Sequence, residues 1–241
     1  MPKLYVVIPC YNEADTVEEL LRRVESVDLA AIHPGISRHS ILIDDGSTDG
    51  TRELVQKLAS EREDREVILM PSNQGKGAAL RTGFAAIEGQ QGDVVIVQDA
   101  DLEYDPEDYP EVTGPIFRAE AQVVYGSRIL HPANERHSAL RFYFGGRFVT
   151  LVTNLLYGSK LTDEPTCYKA FEYSLLKQTP LVCERFEFCP EITAKLLRRN
   201  VEIMEVPIRY FPRRPEEGKK IGWFDGIEAI WTLLRWRFAR I

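Results

Sequence analysis

Short unbroken runs of apolar residues alternate with stretches in which apolar residues recur every three or four positions. Leu4-Tyr5-Val6-Val7-Ile8 is an apolar run closed by Pro9, which predicts a buried strand. Val17, Leu20, Leu21 and Val24 then fall on one face of an amphipathic helix. Ile41-Leu42-Ile43 predicts a second strand. Leu54, Val55 and Leu58 line a second helix, with Ser47, Asp49 or Thr51 as its N-cap. Val67-Ile68-Leu69-Met70 predicts a third strand, and Leu80, Phe84 and Ile87 mark a third helix face. Val94-Val95-Ile96-Val97 predicts a fourth strand. Alternation of this kind builds a mostly parallel, Rossmann-like α/β sheet with helices on both faces.

Ligands of such sheets sit beyond the carboxyl ends of the strands. Each predicted strand is followed there by a polar cluster: Pro9-Cys10-Tyr11-Asn12-Glu13, Asp44-Asp45-Gly46-Ser47, Asn73-Gln74-Gly75-Lys76-Gly77 and Asp99-Ala100-Asp101. Gly46, Gly75 and Gly77 permit close backbone approach to a ligand. Neither the dinucleotide glycine fingerprint nor a P-loop is present. Asp44 and Asp45 are placed to accept hydrogen bonds from a base or a ribose. The plainer alternative is that Asp45-Gly46-Ser47 only turns the chain into its helix.

Asp99 and Asp101 flank one small residue directly after an apolar strand, and Glu103 follows. Near the end of a strand alternate side chains share a face, so the three carboxylates can converge. Like charges at one place repel unless a cation joins them, and hard oxygen ligands suit Mg²⁺ or Mn²⁺. Such an ion neutralises charge on a departing nucleotide. The alternative is an acidic surface turn, since Tyr104-Asp105-Pro106-Glu107-Asp108 continues the acidity.

Together these motifs resemble the inverting glycosyltransferases of family 2, which have the GT-A fold. Within that family the chain is similar to the polyprenyl-phosphate hexose synthases of the dolichol-phosphate mannose or glucose type. Tyr125-Gly126-Ser127-Arg128, the stretch from Leu161 to Phe171 and the stretch from Arg213 to Ile221 carry that closer likeness. The resemblance implies that Pro9, Tyr11, Glu13 and Asp45 hold the nucleoside. It adds Asp44, Gly75, Lys76, Arg81, Asp99 and Ala100 as nucleotide-binding positions. It implies a divalent metal, Mg²⁺ or Mn²⁺, on Asp99, Asp101 and Glu103, where many relatives have Gln at the third position. Asp101, Arg128, Arg141 and Arg213 (or its neighbour Arg214) become the catalytic, phosphate-facing set. The expected reaction moves a hexose from a GDP-mannose or UDP-glucose type of donor to a polyprenyl or dolichyl phosphate. A phosphate acceptor also accounts for the lack of an evident general base: His33, His39, His131 and His137 lie in polar stretches and read as surface residues. A phosphomonoester oxygen is already anionic at neutral pH and needs positioning more than deprotonation.

Composition narrows the picture further. A net charge of −7 over 241 residues disfavours nucleic acid as a partner, and no protein partner is predicted. Cys10, Cys167, Cys183 and Cys189 show no metal-binding spacing and read as reduced, packed thiols. No signal peptide or spanning segment is expected, which predicts a cytoplasmic protein held peripherally at the inner face of a membrane. Leu140, Phe144, Phe148, Leu151, Leu155 and Leu156 recur at helical spacing. So do Ile227, Ile230, Trp231, Leu234, Phe238 and Ile241, interleaved with Arg235, Arg237 and Arg240. Either stripe fits a membrane interface or a core-facing helix. A single GT-A domain over 1–225 with a basic amphipathic helix over 226–241 is therefore expected, and the charged 213–220 segment is expected to close over phosphates. A soluble or protein-bound acceptor, a nucleotidyltransferase activity and a non-catalytic nucleotide-sugar binding module are the competing functions.

Overall fold

The computed structural model describes residues 1–134, 140–213 and 222–239, without the side chains of residues 140–142 and 223. Along the chain run β1 (Lys3–Cys10), α1 (Val17–Ser26), α2 (Leu29–Ile32), β2 (Ser37–Asp44), α3 (Thr51–Ser60), β3 (Arg65–Leu69), α4 (Lys76–Ala86) and β4 (Val94–Val97). After these come α5 (Tyr109–Phe117), β5 (Val123–Ser127), α6 (Leu140–Tyr157), β6 (Lys169–Glu172), α7 (Tyr173–Lys177), α8 (Phe188–Arg198), β7 (Met204–Pro207) and α9 (Trp223–Phe238). The strands form one sheet in the order β3-β2-β1-β4-β6-β5-β7. β1 pairs in parallel with both β2 and β4, and β2 does so with β3. β6 enters antiparallel between β4 and β5, and β7 runs parallel to β5.

Alternation along the buried strands builds two cores, one on each face. Leu4, Val6 and Ile8 of β1 pack with Val17 and Leu20 of α1, Val55 of α3 and Val112 of α5. Tyr5 and Val7 point the other way, onto Ala79 and Leu80 of α4 and Ile192 and Leu196 of α8. The four apolar positions named for α1 are all buried. The cap of α3 differs from simple expectation: Gly50 occupies the cap position at φ 98°, while the Asp49 side chain accepts the Thr51 N–H at 3.0 Å.

α4 also departs from the expected pattern. It ends at Ala86, so Ile87 packs from just beyond the helix. Its buried face is made mainly of Gly77, Ala78, Ala79, Leu80 and Gly83. Small residues let it lie close on the sheet, since a Cβ on Gly83 would stand 2.7 Å from both Ile43 and Val7 side chains.

A third, smaller core ties α6, α8 and α9 together through Val149, Ala194 and Leu233, with Ile230 and Trp236 packed against it. The last helix thus begins at Trp223 rather than near 226. Its inner face belongs to the core, while Ile227, Trp231, Leu234 and Phe238 remain exposed. Among the described residues no helix is long and apolar enough to cross a membrane.

Filling the space under α4 should be costly. Gly83→Val is expected to lower stability by about 1–3 kcal/mol through overpacking, read as a lower denaturant midpoint at unchanged slope. An unshifted midpoint would show that α4 does not sit this close to β1 and β2.

Candidate functional site

The carboxyl ends of β1, β2 and β4 face one cavity of about 1390 Å³, and the loops that follow them line it. Pro9, Tyr11, Glu13, Asp45, Gly75, Lys76, Asp99, Ala100, Asp101, Glu103, Arg128 and Arg213 all border this space. The opposite wall is made by α6 and α9, through Gly145, Gly146 and Val149 on one side and Gly226 and Ala229 on the other.

Adjacent residues at the end of β2 divide their roles. The Asp45 carboxylate accepts the Gln74 N–H at 2.7 Å and the Gly75 N–H at 2.8 Å, so it organises the neighbouring loop as it faces the cavity. Burial raises its pKa against these two hydrogen bonds. Asp44 does not reach the cavity. It is fully buried, ion-paired to Arg52 at 2.7 Å, and accepts the Ser47 N–H at 3.2 Å. The side-chain alternation of a strand sends one carboxylate to the ligand space and its neighbour inward. Gly75 holds φ 94°, and a Cβ there would stand 2.5 Å from the Glu184 carbonyl oxygen.

The expected carboxylate triad is not formed. After β4 the chain turns instead of continuing extended, with Leu102 at a left-handed φ of 63°. Asp99 Oδ1 is ion-paired with the Lys76 ammonium at 2.5 Å. Glu103 is turned toward the late segment, accepting the Tyr210 hydroxyl at 2.9 Å and the Arg213 N–H at 2.7 Å. Among the described residues no three His, Cys, Asp or Glu side chains stand together as a metal site. Asp101 is the carboxylate most in need of a cation. Burial, then the charges of Asp99 and Glu103, push its carboxyl up to about 7. Hard oxygens under mutual repulsion are a fitting donor set for a divalent ion on Asp101 and Asp99, but Glu103 is spent elsewhere.

The arginines are equally committed. Arg128 makes a two-pronged pair with Asp163, Nε and Nη2 each at 2.7 Å, and its guanidinium lies 5.1 Å from the Tyr210 ring centre. That pair takes two of its five N–H groups, leaving the others for an anion. Arg213 reaches back across the cavity to Glu13 at 2.6 Å and donates to the Asp101 carbonyl at 2.8 Å. Arg81 faces away, toward the Val182 and Cys183 carbonyls beside a separate hollow of about 360 Å³. The Arg141 side chain and residues 214–221 lie outside the described residues. His33, His39 and His131 do not border the main cavity. His33 and His39 are half-buried against Phe117 and Tyr5 rather than free on the surface.

Several lining residues had no role assigned from the sequence: Asp163, Glu164 and Cys167 in the 161–171 stretch, together with Tyr104 and Tyr210. Their only signal was membership of motif stretches or proximity to one. Glu164 is fully buried and neither carboxylate oxygen makes a hydrogen bond of ordinary geometry. Thr193 lies beside it, but that hydroxyl is engaged with Tyr125 at 2.9 Å.

The sequence profile of Glycosyl transferase family 2 matches residues 5–179. The chain belongs to this family. It is 25% identical to the UDP-N-acetylglucosamine–dolichyl-phosphate N-acetylglucosaminyltransferase of Methanococcus voltae, over 99% of this chain and 97% of that enzyme. It is 31% identical to the undecaprenyl-phosphate 4-deoxy-4-formamido-L-arabinose transferase of Pseudomonas fluorescens, over 89% of this chain. It spans 59% of that enzyme's length. Among solved structures, glucosyl-3-phosphoglycerate synthase of Mycobacterium tuberculosis with Mn²⁺, UDP-glucose and phosphoglyceric acid superposes with a TM-score of 0.70 at 21% identity. That alignment covers 100% of this chain and 81% of the other. At this identity the likeness is one of fold, and the expected GT-A architecture is the one observed.

In this family member the Glu164 carboxyl gives a pH test. Burial raises its pKa above the ordinary glutamate value. The folded state therefore holds that proton more tightly than the unfolded chain, and the associated stability is lost as pH rises through the folded pKa. Glu164→Gln, which stays neutral, should gain stability relative to the parent protein as pH is raised from about 5 to about 8. Thermal melts of both proteins across that range check it. Parallel curves would mean that Glu164 is not carried as a buried acid.

Proposed function

We propose that this chain moves a sugar from a nucleotide-sugar to the phosphate of a polyprenyl phosphate, at a membrane surface, with inversion at the anomeric carbon. One observation carries the reading. A single cavity joins the acidic and basic loops of the sheet to a wall built by α6 and α9. The outer faces of those helices expose Phe144, Leu155, Trp231 and Phe238 at 63%, 75%, 65% and 80%. A polar transfer site that opens beside an apolar rim suits an acceptor with a charged head and a hydrocarbon tail.

The two relatives named above act on different sugars, and a polyprenyl phosphate is what their names share. The acceptor class is therefore the better supported half of the proposal. The donor is a nucleotide-sugar, and the mannose or glucose expected from the sequence gains no support from those relatives. Pro9, Tyr11 and the Asp45-ordered loop at Gln74 and Gly75 bound the space assigned to the nucleoside. Asp101, with Asp99, would hold a divalent cation, which supplies charge neutralisation for the departing nucleoside diphosphate. Lys76 competes with that cation for Asp99 and is itself placed to meet a phosphate. The remaining N–H groups of Arg128 orient the acceptor phosphate, whose oxygen is anionic at neutral pH and attacks without a protein base. Arg213 takes part only after leaving Glu13.

The decisive experiment mixes the protein with UDP- and GDP-sugars, Mn²⁺ and undecaprenyl phosphate in anionic vesicles, and follows sugar label into the organic phase. Asp101→Asn should reduce that transfer by at least ~10²-fold and weaken Mn²⁺ binding measured by calorimetry. Transfer that survives Asp101→Asn and full chelation would sink the proposed role of the carboxylate, and label carried only to a soluble acceptor would overturn the lipid reading.

Membrane contact has its own test. Deleting α9 would remove Leu233 from the core, so surface substitutions are cleaner. Trp231→Glu with Phe238→Glu should leave the melting curve unchanged and cut co-sedimentation with anionic vesicles. High salt should weaken binding of the parent protein, because Arg235 and Arg237 each contribute about 1 kcal/mol near an anionic surface and are screened. Equal sedimentation of parent and variant would place the contact elsewhere.

A further inference from the structure

The sequence offers four cysteines with no pairing pattern, and none of the four is in a disulfide in the structure. Two of them meet. Cys167 lies just before β6, and Cys189 lies in the first turn of α8. Their side chains interact directly, and both border the main cavity. Cys189 Sγ also rests 3.4 Å from the Thr166 carbonyl oxygen. The surroundings are cationic. The Lys76 ammonium stands 3.0 Å from Cys167 Sγ, and the buried Lys169 sits in the field of both thiols. The amino end of α8 adds its partial positive charge at Cys189. The hydrogen bond between the two side chains holds the Cys189 thiol below the usual cysteine range, while that bond and burial push Cys167 up. Cys189 is thus the more readily ionised of the pair, and the thiolate is the form that reacts with oxidants. Cys10 also borders the cavity, but from the end of β1, where its Sγ rests 3.5 Å from the Ile8 carbonyl oxygen, and Cys183 packs in the core beneath α4 and α8.

We propose that Cys167 and Cys189 form a reversible redox site in the wall of the transfer cavity, closed to a disulfide by peroxide. One thiolate attacks a peroxide oxygen and releases hydroxide, giving a sulfenic acid. The second thiol displaces that hydroxyl as water. Two thiols and one hydrogen peroxide thus become one disulfide and two waters, and a small dithiol reverses the change. The pairing stands on the contact of the two side chains, on the seat of Cys189 Sγ 3.4 Å from the carbonyl oxygen of Thr166, the residue before Cys167, and on the cavity wall they share. Its consequence rests on the proposed function. Lys76 bridges Cys167 Sγ and Asp99 Oδ1. Turning Cys167 Sγ toward Cys189 leaves the ammonium to Asp99 alone. That strengthens the competition against the cation that the donor diphosphate requires.

Peroxide titration of the full-length reduced protein, with alkylation, intact mass and peptide mapping, tests the site. The expected result is a loss of two hydrogens per chain and a linked peptide pair joining Cys167 to Cys189, reversed by dithiothreitol. Cys167→Ser and Cys189→Ser should each abolish the loss, and Cys167→Ala and Cys189→Ala serve if a serine variant fails to fold. Separate oxygen adducts with no linked pair, or a link through Cys10 or Cys183, overturn the proposal. In the transfer assay the oxidised protein should be roughly tenfold slower and recover with dithiothreitol, the scale of one lost charge-assisted contact. Unchanged transfer by a fully linked protein overturns the switch. A linked protein that shows no transfer even when reduced counts against the proposed function and leaves the redox site standing.

Discussion

A carboxylate removed from water must find a cation or a set of N–H donors, and the carboxyl edge of this sheet carries several that do. Asp44 takes Arg52, Asp99 takes Lys76, Asp163 takes Arg128 and Glu13 takes Arg213. Removing one member of such a buried pair leaves the other uncompensated, at a cost of about 3–5 kcal/mol. The polypeptide is therefore folded around these pairings as much as around its apolar faces. β6 enters antiparallel beside β4 and brings the 161–171 stretch to the cavity, and the segment after β7 brings Tyr210 and Arg213 over it. Each supplies the charge or donor that the strand-end loops lack. On Asp101 burial and the like charges of Asp99 and Glu103 outweigh the Glu103 N–H and the Lys76 ammonium, which makes it a fitting place for an added cation.

Much of this was legible in the chain. The alternation of apolar runs and helical stripes placed β1 to β4 within a few residues, because a strand buried on both faces, as β1 and β4 are, leaves a continuous apolar signature, and even the half-exposed edge strand β3 keeps a short apolar run. The polar clusters after those strands do line the cavity. What failed were statements about direction. Asp44 and Asp45 are neighbours in sequence, yet one faces the ligand space and the other the core, a distinction set by strand register. The carboxylates after β4 were expected to share a face, but the left-handed Leu102 turns the chain and aims Glu103 at Tyr210. Asp163, Glu164 and Cys167 escaped assignment because only the antiparallel insertion of β6 brings them to the cavity, and no local pattern announces such a crossing.

The helical stripes taught a related lesson. The sequence left open whether α6 and α9 bury their apolar residues or present them, and both helices do both. Val149 and Leu233 close the third core, while Phe148, Leu151, Ile227 and Leu234 stay outside. A helix that is apolar around most of its circumference carries two messages at once, and a single amphipathic reading captures one of them.

The pairing of Arg213 with Glu13 spans 200 positions of the chain. A contact of that separation is unavailable until nearly the whole polypeptide has been made and collapsed, and loop-closure entropy must be met before the pair contributes anything. The first strands and helices have mostly local partners and can assemble early. The cavity they begin is completed from the other end of the chain. A polypeptide emerging from the ribosome would pass through a stage in which the donor-side loops are in place but Glu13 and Asp101 still face water. In that stage the acidic groups are solvated and weakly constrained, so the site becomes a defined electrostatic environment only with the last steps of folding.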